Sequence, residues 1–220
     1  MGQQVNFIGS SSDWRRELFP GGLAGQVMGH VLETWKSFSL HRKVKLENRI
    51  NASFCEALKK ACEDAGRTWV IVPEYPINDP VLGTQKGRVD LCFIPPDHRG
   101  QKVFFTLECK RLRVRTKSGL KSYADKYVSK GVLKFVVSQY AANHPCGGML
   151  GYVMDGQLDE AFEAIQREVE SPKYDLRMQT EKSACPPSSV LPHYPHSMDT
   201  FHIRTDGEFT LHHLLVGLTR

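Results

Sequence analysis

No stretch of about 18 consecutive apolar residues occurs in the 220-residue sequence, so no segment reads as a membrane-spanning helix. The first residues, MGQQVNFIGSSSDWRR, lack the charged-then-apolar order of a secretory signal, and Asn6 stands where the N-myristoylation pattern wants Ser or Thr. The six cysteines (Cys55, Cys62, Cys92, Cys109, Cys146, Cys185) form no C-x-x-C pair. They are expected to be free thiols of a reducing compartment, which points to the cytoplasm. No glycine-rich phosphate loop with its lysine is present, so Gly21-Gly22 and Gly147-Gly148 read as turns. No Ser-His-Asp or Cys-His nucleophile shows a local signature. The tail histidines His193, His196, His202, His212 and His213 have Cys185 nearby but lack the paired ligands of a structural zinc site.

What is present is ordinary for a soluble globular chain, with 40% hydrophobic and 24% charged residues. A chain this long can bury roughly 70% of its unfolded surface, enough for one core without cross-links. The net charge is +5, and it is unevenly placed. Between Asp97 and Lys134 there are eleven Lys and Arg against three Asp and Glu, a local +8 that leaves −3 for everything else. A basic block in an otherwise slightly acidic chain suggests a polyanion surface, or else a solvated basic face.

Apolar periodicity divides the chain. Residues 1–22 are polar and rich in Gly and Ser, which predicts a flexible N-terminus. Val27, Val31, Leu32, Trp35 and Phe38 form one helical face; Leu46, Ile50, Phe54, Leu58 and Cys62 form another, closed by Gly66. The period then shortens to two in TWVIVPEY (68–75), GRVDLCFI (87–94) and KVFFTLECKRL (102–112), which read as three strands. A helix over 123–143, a strand over 149–154 and a short helix over 159–169 follow, completing a core domain over 23–170. Residues 171–220 are expected to be a Pro-rich loop with a strand near 201–204 and a helix near 211–218, packed on that core. The order predicts an α/β or α+β layer fold with one mixed sheet covered by helices.

The chemistry concentrates in the second and third strands. Glu108 and Lys110 are two apart and therefore share a face, opposite Phe105, Leu107 and Cys109. If the hairpin turns near His98 and Arg99, facing residue numbers sum to about 198, which sets Asp90 against Glu108. Two facing carboxylates repel unless a cation lies between them, and Mg²⁺ takes oxygen ligands from one or two carboxylates while keeping places for water and phosphate. The Lys110 ammonium beside them suits a developing phosphate charge. This is the only E-x-K triplet in the chain. Glu74, in VPEYPI, is either a further acidic ligand or a surface residue.

The arrangement Val89-Asp90, seventeen residues, then Glu108-Cys109-Lys110 resembles the PD-(D/E)xK nuclease superfamily over roughly residues 40–155. The resemblance extends to Glu47 in the helix before the sheet and to the basic helix after the motif strand. It implies a restriction endonuclease-like fold, a central four-stranded mixed sheet flanked by helices. It also implies Asp90 and Glu108 as metal ligands, Glu47 as an outer metal or water ligand, and Lys110 as the residue orienting the water. The cofactor would be Mg²⁺, with Mn²⁺ as a substitute. Val89 departs from the proline of the motif name. Gln139 is followed by Tyr140 and by Asn143 four residues on, so the exonuclease pattern of glutamine and tyrosine is not matched.

Arg111, Arg113, Arg115, Lys117, Lys121, Lys126 and Lys130 form the expected nucleic-acid contact row. It is expected to bind phosphates without reading sequence, on DNA in preference to RNA. The expected function is a DNA endonuclease, as a component of a prokaryotic restriction or anti-phage system, with a protein partner supplying specificity; a homo-oligomer is a separate expectation left open. The alternatives are a non-catalytic nucleic-acid-binding or scaffold protein that keeps the fold, and an interaction protein with an acidic partner.

Overall fold

The computed structural model describes residues 19–41, 44–78, 83–96 and 103–218. The expected flexible terminus, up to residue 18, and two cations of the basic block, Arg99 and Lys102, lie outside the described residues. Helices α1 (Leu23–Ser37) and α2 (Glu47–Asp64) come first, followed by strands β1 (Val70–Asn78), β2 (Gln85–Ile94) and β3 (Phe105–Leu112). A small hairpin follows, β4 (Val114–Thr116) and β5 (Gly119–Lys121). Ala124–Tyr127, Val128–Val132 and Leu133–Val136 then run on as one irregular helix, α3, whose middle segment is a π turn. Strand β6 (Cys146–Val153), helix α4 (Leu158–Val169) and strands β7 (Ser197–Arg204) and β8 (Gly207–Gly217) complete the chain. Among the described residues no helix is long and apolar enough to cross a membrane.

One mixed sheet holds six strands in the order β1-β2-β3-β6-β8-β7, with β3, β6 and β8 parallel and the outer pairings antiparallel. Two apolar layers sandwich it. Phe105, Leu107, Cys109, Leu150, Tyr152, Leu214 and Val216 pack under α1 and α2, while Cys92, Leu112, Met149, Val153, Leu211 and Leu215 pack under α3 and α4.

Two expectations are corrected. The sheet has six strands rather than four, and the segment near 211–218 is a strand, not a helix. From Leu211 to Val216 every residue is buried because β8 lies between β6 and β7 with both faces covered, and such a segment carries no alternation that separates strand from helix. Residues 197–217 therefore belong to the central sheet rather than to an appended unit. The α3 helix also ends earlier than expected, at Val136, and the link to β6 places Ser138, Ala141 and Asn143 at positive φ (55°, 50° and 60°). The end of α2 is as read: Gly66 sits at φ 64°, a left-handed position favouring glycine.

The tail histidines build an interior hydrogen-bond chain. His202 Nδ1 lies 2.7 Å from the Leu176 carbonyl, so it must carry a proton and donate. Its Nε2 then accepts from the Thr200 hydroxyl (2.7 Å), which leaves that oxygen to accept from His213 Nε2 (2.9 Å). His213 Nδ1 in turn accepts from Tyr127 OH (3.1 Å). Every group is satisfied only with both imidazoles neutral, and burial lowers their pKa values to about 4 for His202 and about 3 for His213. The unfolded chain, with ordinary histidines, therefore binds more protons below pH 6.5, and folding stability falls as the pH drops from there. In the Asp90→Asn variant, which removes a buried carboxyl that titrates over the same interval in the opposite sense, urea unfolding is expected to show about 2–4 kcal/mol less stability at pH 5 than at pH 7, the sum for two such histidines. A flat profile over that interval would show that the chain tolerates protonation.

Candidate active site

Strands β2 and β3 pair only at Leu91↔Leu107, Cys92↔Thr106 and Phe93↔Phe105, so facing numbers sum to the expected 198. Beyond Leu91 and Leu107 the strands part, β2 staying with β1 and β3 with β6. Asp90 and Glu108 stand at the next facing positions, at the mouth of the gap. Asp90 Oδ2 accepts a hydrogen bond from the Cys109 N–H (2.7 Å), taking the place of a strand carbonyl. On the open side of β2, Gln139 Nε2 and Tyr140 OH donate to the carbonyls of Lys86 (3.0 Å) and Arg88 (2.6 Å). The link that follows α3 thus holds the strand that β3 has left.

Lys110 lies at the centre of the gap. Its Nζ is 2.8 Å from Glu108 Oε1, 3.3 Å from Glu47 Oε1 and 3.9 Å from Asp90 Oδ2. It also donates to the Cys109 carbonyl at 2.8 Å. Burial alone would lower the Lys110 pKa, but the carboxylates of Glu108, Asp90 and Glu47 outweigh it and hold the ammonium well above its usual range. The three carboxylates thus favour the charged form of Lys110 in this arrangement. Asp90 is pushed up to about 7, first by burial and then by Glu108, with Lys110 and the Cys109 N–H opposing.

Glu108 is 3% exposed. Its Oε1 meets Lys110 and, at 3.5 Å, Lys134, while its Oε2 is buried without a hydrogen-bond partner among the described residues. Asp90 Oδ1 likewise makes no hydrogen bond to a described residue. Two carboxylate oxygens left uncommitted at one gap, with three carboxylates against the Lys110 and Lys134 ammonium groups, fit a divalent cation held by Asp90 and Glu108. No group of three or more His, Cys, Asp or Glu side chains among the described residues is gathered closely enough to hold a metal ion.

Glu47, expected as an outer metal or water ligand, reaches the Lys110 ammonium from α2. Both its oxygens are engaged, Oε1 with Lys110 and Oε2 with the Arg111 N–H (2.9 Å). Placed in the first turn of α2, it positions Lys110. Glu74 is not part of the site: it is exposed, at φ 50°, and pairs with Arg88 at 3.4 Å.

Sequence reasoning passed over Lys134 as a site residue, and Tyr140. Lys134 Nζ donates to Tyr140 OH (2.7 Å) and sits 4.8 Å from the centre of that ring, so it approaches Glu108 from α3. The signal was the spacing: Lys126, Lys130 and Lys134 recur every four residues, one helix face. Lys126 and Lys130 join Glu47, Lys110, Arg111 and Tyr123 around a cleft of about 260 Å³ at the mouth of the site.

The expected row of arginines is broken at Arg113. That residue stands at φ 53°, between the end of β3 and the start of β4, so Arg111, Arg113 and Arg115 do not continue one strand. Its guanidinium is taken by Asp155 (3.0 Å) and Glu160 (2.7 Å), which removes it from phosphate contact. Arg111 donates to the Lys45 carbonyl and lines the cleft. Arg115, Lys117, Lys121, Lys126 and Lys130 are exposed.

Compared with known proteins, the chain matches no family model, no curated protein and no solved structure.

Proposed function

We propose that this protein is a metal-dependent nuclease of the restriction endonuclease-like kind, hydrolysing phosphodiester bonds of nucleic acid, DNA in preference to RNA. The supporting observation is the Lys110 ammonium within reach of Asp90, Glu108 and Glu47 where two strands part, opening on a cleft edged by Arg111, Lys126 and Lys130. A backbone phosphate entering that cleft meets cations at its rim and Lys110 at its floor. Glu47 and Glu108 hold Lys110 in place, so its charge is already aimed where negative charge develops on the phosphate. Asp90 and Glu108 would hold Mg²⁺ or Mn²⁺, which supplies Lewis-acid polarisation of the phosphate and a more acidic water. Lys134 restrains Glu108 from the opposite side. A role in restriction or anti-phage defence would follow from cleavage of foreign DNA.

The test is incubation of the purified full chain with duplex DNA, duplex RNA and single strands in Mg²⁺ or Mn²⁺, with a chelator control. Cleavage is expected only with metal, and Glu108→Gln is expected to lower it about 10²–10³-fold. Salt-sensitive binding with no turnover on any of these substrates would leave a non-catalytic nucleic-acid-binding protein instead.

A further inference from the structure

Four residues past Lys110 the chain begins a feature that hydrolysis does not require. β4 and β5 pair antiparallel as Val114↔Lys121, Arg115↔Leu120 and Thr116↔Gly119, with Lys117-Ser118 as the turn. From Lys117 to Lys121 every residue is exposed. Leu120, on the same ribbon, is 44% exposed. It sits directly across from Arg115, so the two share a face. Arg115, Lys117 and Lys121 make no ion pair with any described residue.

A two-stranded ribbon standing alone is only marginally stable in water, yet this one is braced. Thr116 Oγ1 donates to the Gly119 carbonyl (2.8 Å) across the turn, and the Arg113 N–H donates to the Ser122 carbonyl (2.9 Å) at the base. Below the base, the Arg113 side chain is fastened to Asp155 and Glu160. The result is a braced, unpartnered, basic finger with an apolar residue near its tip, contiguous with the cleft through Tyr123, Lys126 and Lys130.

We propose that the β4–β5 hairpin enters the major groove of double-stranded DNA, with Arg115, Lys117 and Lys121 on the flanking phosphates and Leu120 towards the base edges. The assignment rests on the nuclease reading for the presence of nucleic acid, and dimensions choose the groove. Three strand residues rise about 10 Å, and a B-form major groove is about 8.5 Å deep and about 12 Å wide, sufficient for a two-stranded ribbon. The minor groove, about 6 Å wide, is too narrow, and the major groove of an RNA duplex is too deep and narrow to be read. An apolar side chain has a partner on the major-groove edge, the methyl group of thymine.

The experiment is fluorescence anisotropy of the full chain with a 30-base-pair DNA duplex and the same sequence as an RNA duplex, in chelator so that nothing is cut, from 50 to 200 mM salt. Arg115→Gln/Lys117→Gln/Lys121→Gln is expected to lower the slope of log affinity against log salt by about 3, since each phosphate contact to B-form DNA contributes about 0.9. Leu120→Ser is expected to leave that slope unchanged and to reduce the preference for DNA over RNA duplex. DNA glucosylated on hydroxymethylcytosine, which fills the major groove, is expected to bind the parent at least 10-fold more weakly and the triple variant no differently from plain DNA. An unchanged salt slope in the triple variant, equal binding of the two duplexes by the parent, or indifference of the parent to glucosylation each overturns the assignment. The two readings fail separately: hairpin-dependent DNA binding without turnover refutes the nuclease, while undiminished cutting with an unchanged slope refutes the hairpin.

Discussion

Asp90→Asn is expected to lower metal-dependent cleavage about 10³-fold while leaving the fold at least as stable as the parent. The amide is the same size as the carboxylate, and its oxygen can still accept from the Cys109 N–H, the one hydrogen bond that Asp90 makes to a described residue. The substitution removes one of three carboxylates crowded around a single ammonium, so repulsion with Glu108 is relieved rather than created. What it removes functionally is an anionic oxygen at the mouth of the gap. On the proposed nuclease reading, a cation held there would contribute several kcal/mol to a developing phosphate charge, and each 1.36 kcal/mol is tenfold in rate. Single-turnover cleavage alongside urea unfolding separates the two effects. An Asp90→Asn variant that still cleaves would remove Asp90 from the site, and an inactive but markedly destabilised one would give it a structural role.

Arg204→Met is expected to destabilise the protein by about 3–5 kcal/mol, the cost of breaking a buried pair from one side. The Arg204 side chain is fully buried and its guanidinium lies 4.0 Å from the Phe209 ring centre. It pairs with Asp206 and donates to the carbonyls of Phe135 (3.3 Å), Ala141 (3.1 Å) and His144 (3.4 Å). Asp206 in turn accepts from Ser138 Oγ (3.1 Å) and the Asn143 N–H (2.7 Å). One buried ion pair on the β7–β8 turn therefore holds the whole link between α3 and β6, including its three residues at positive φ. That link carries Gln139 and Tyr140, which clamp β2 and steady Lys134, so the variant is also expected to loosen the site. Urea denaturation measures the loss. A change under 1 kcal/mol would mean that the link holds its shape unaided.

These two residues divide what can be read from one dimension and what cannot. Asp90, Glu108 and Lys110 were legible because strand alternation and hairpin register are local rules. A period of two puts Glu108 and Lys110 on one face, and a turn near residue 99 sets Asp90 opposite Glu108. The two helices before the sheet were legible for the same reason, since an apolar stripe every three or four residues has one stable use.

Arg204 carried no such signal. Apart from Asp206, two residues on, its partners lie 60 to 69 residues away along the chain, and only the packing of β7 beside β8, with α3 above, brings them within reach. The role of Glu47 was half legible: its place in the first turn of α2 could be read, but not that both its oxygens would be taken by Lys110 and the Arg111 N–H. Arg113 was misplaced because alternation assumes an unbroken strand, and a single left-handed residue turned the chain.

The amino-acid order by itself determined an α/β chain, the hairpin register at 198, the face shared by Glu108 and Lys110, and the segment that carries the positive charge. Tertiary structure alone decided that the last strands lie inside the sheet, that Lys134 and Tyr140 reach the site, and that Lys110 is caged by three carboxylates. The physical reason is range: backbone periodicity acts over a few residues, whereas a buried charge settles wherever folding brings its partners, and those come from α2, β2, β3 and α3 together.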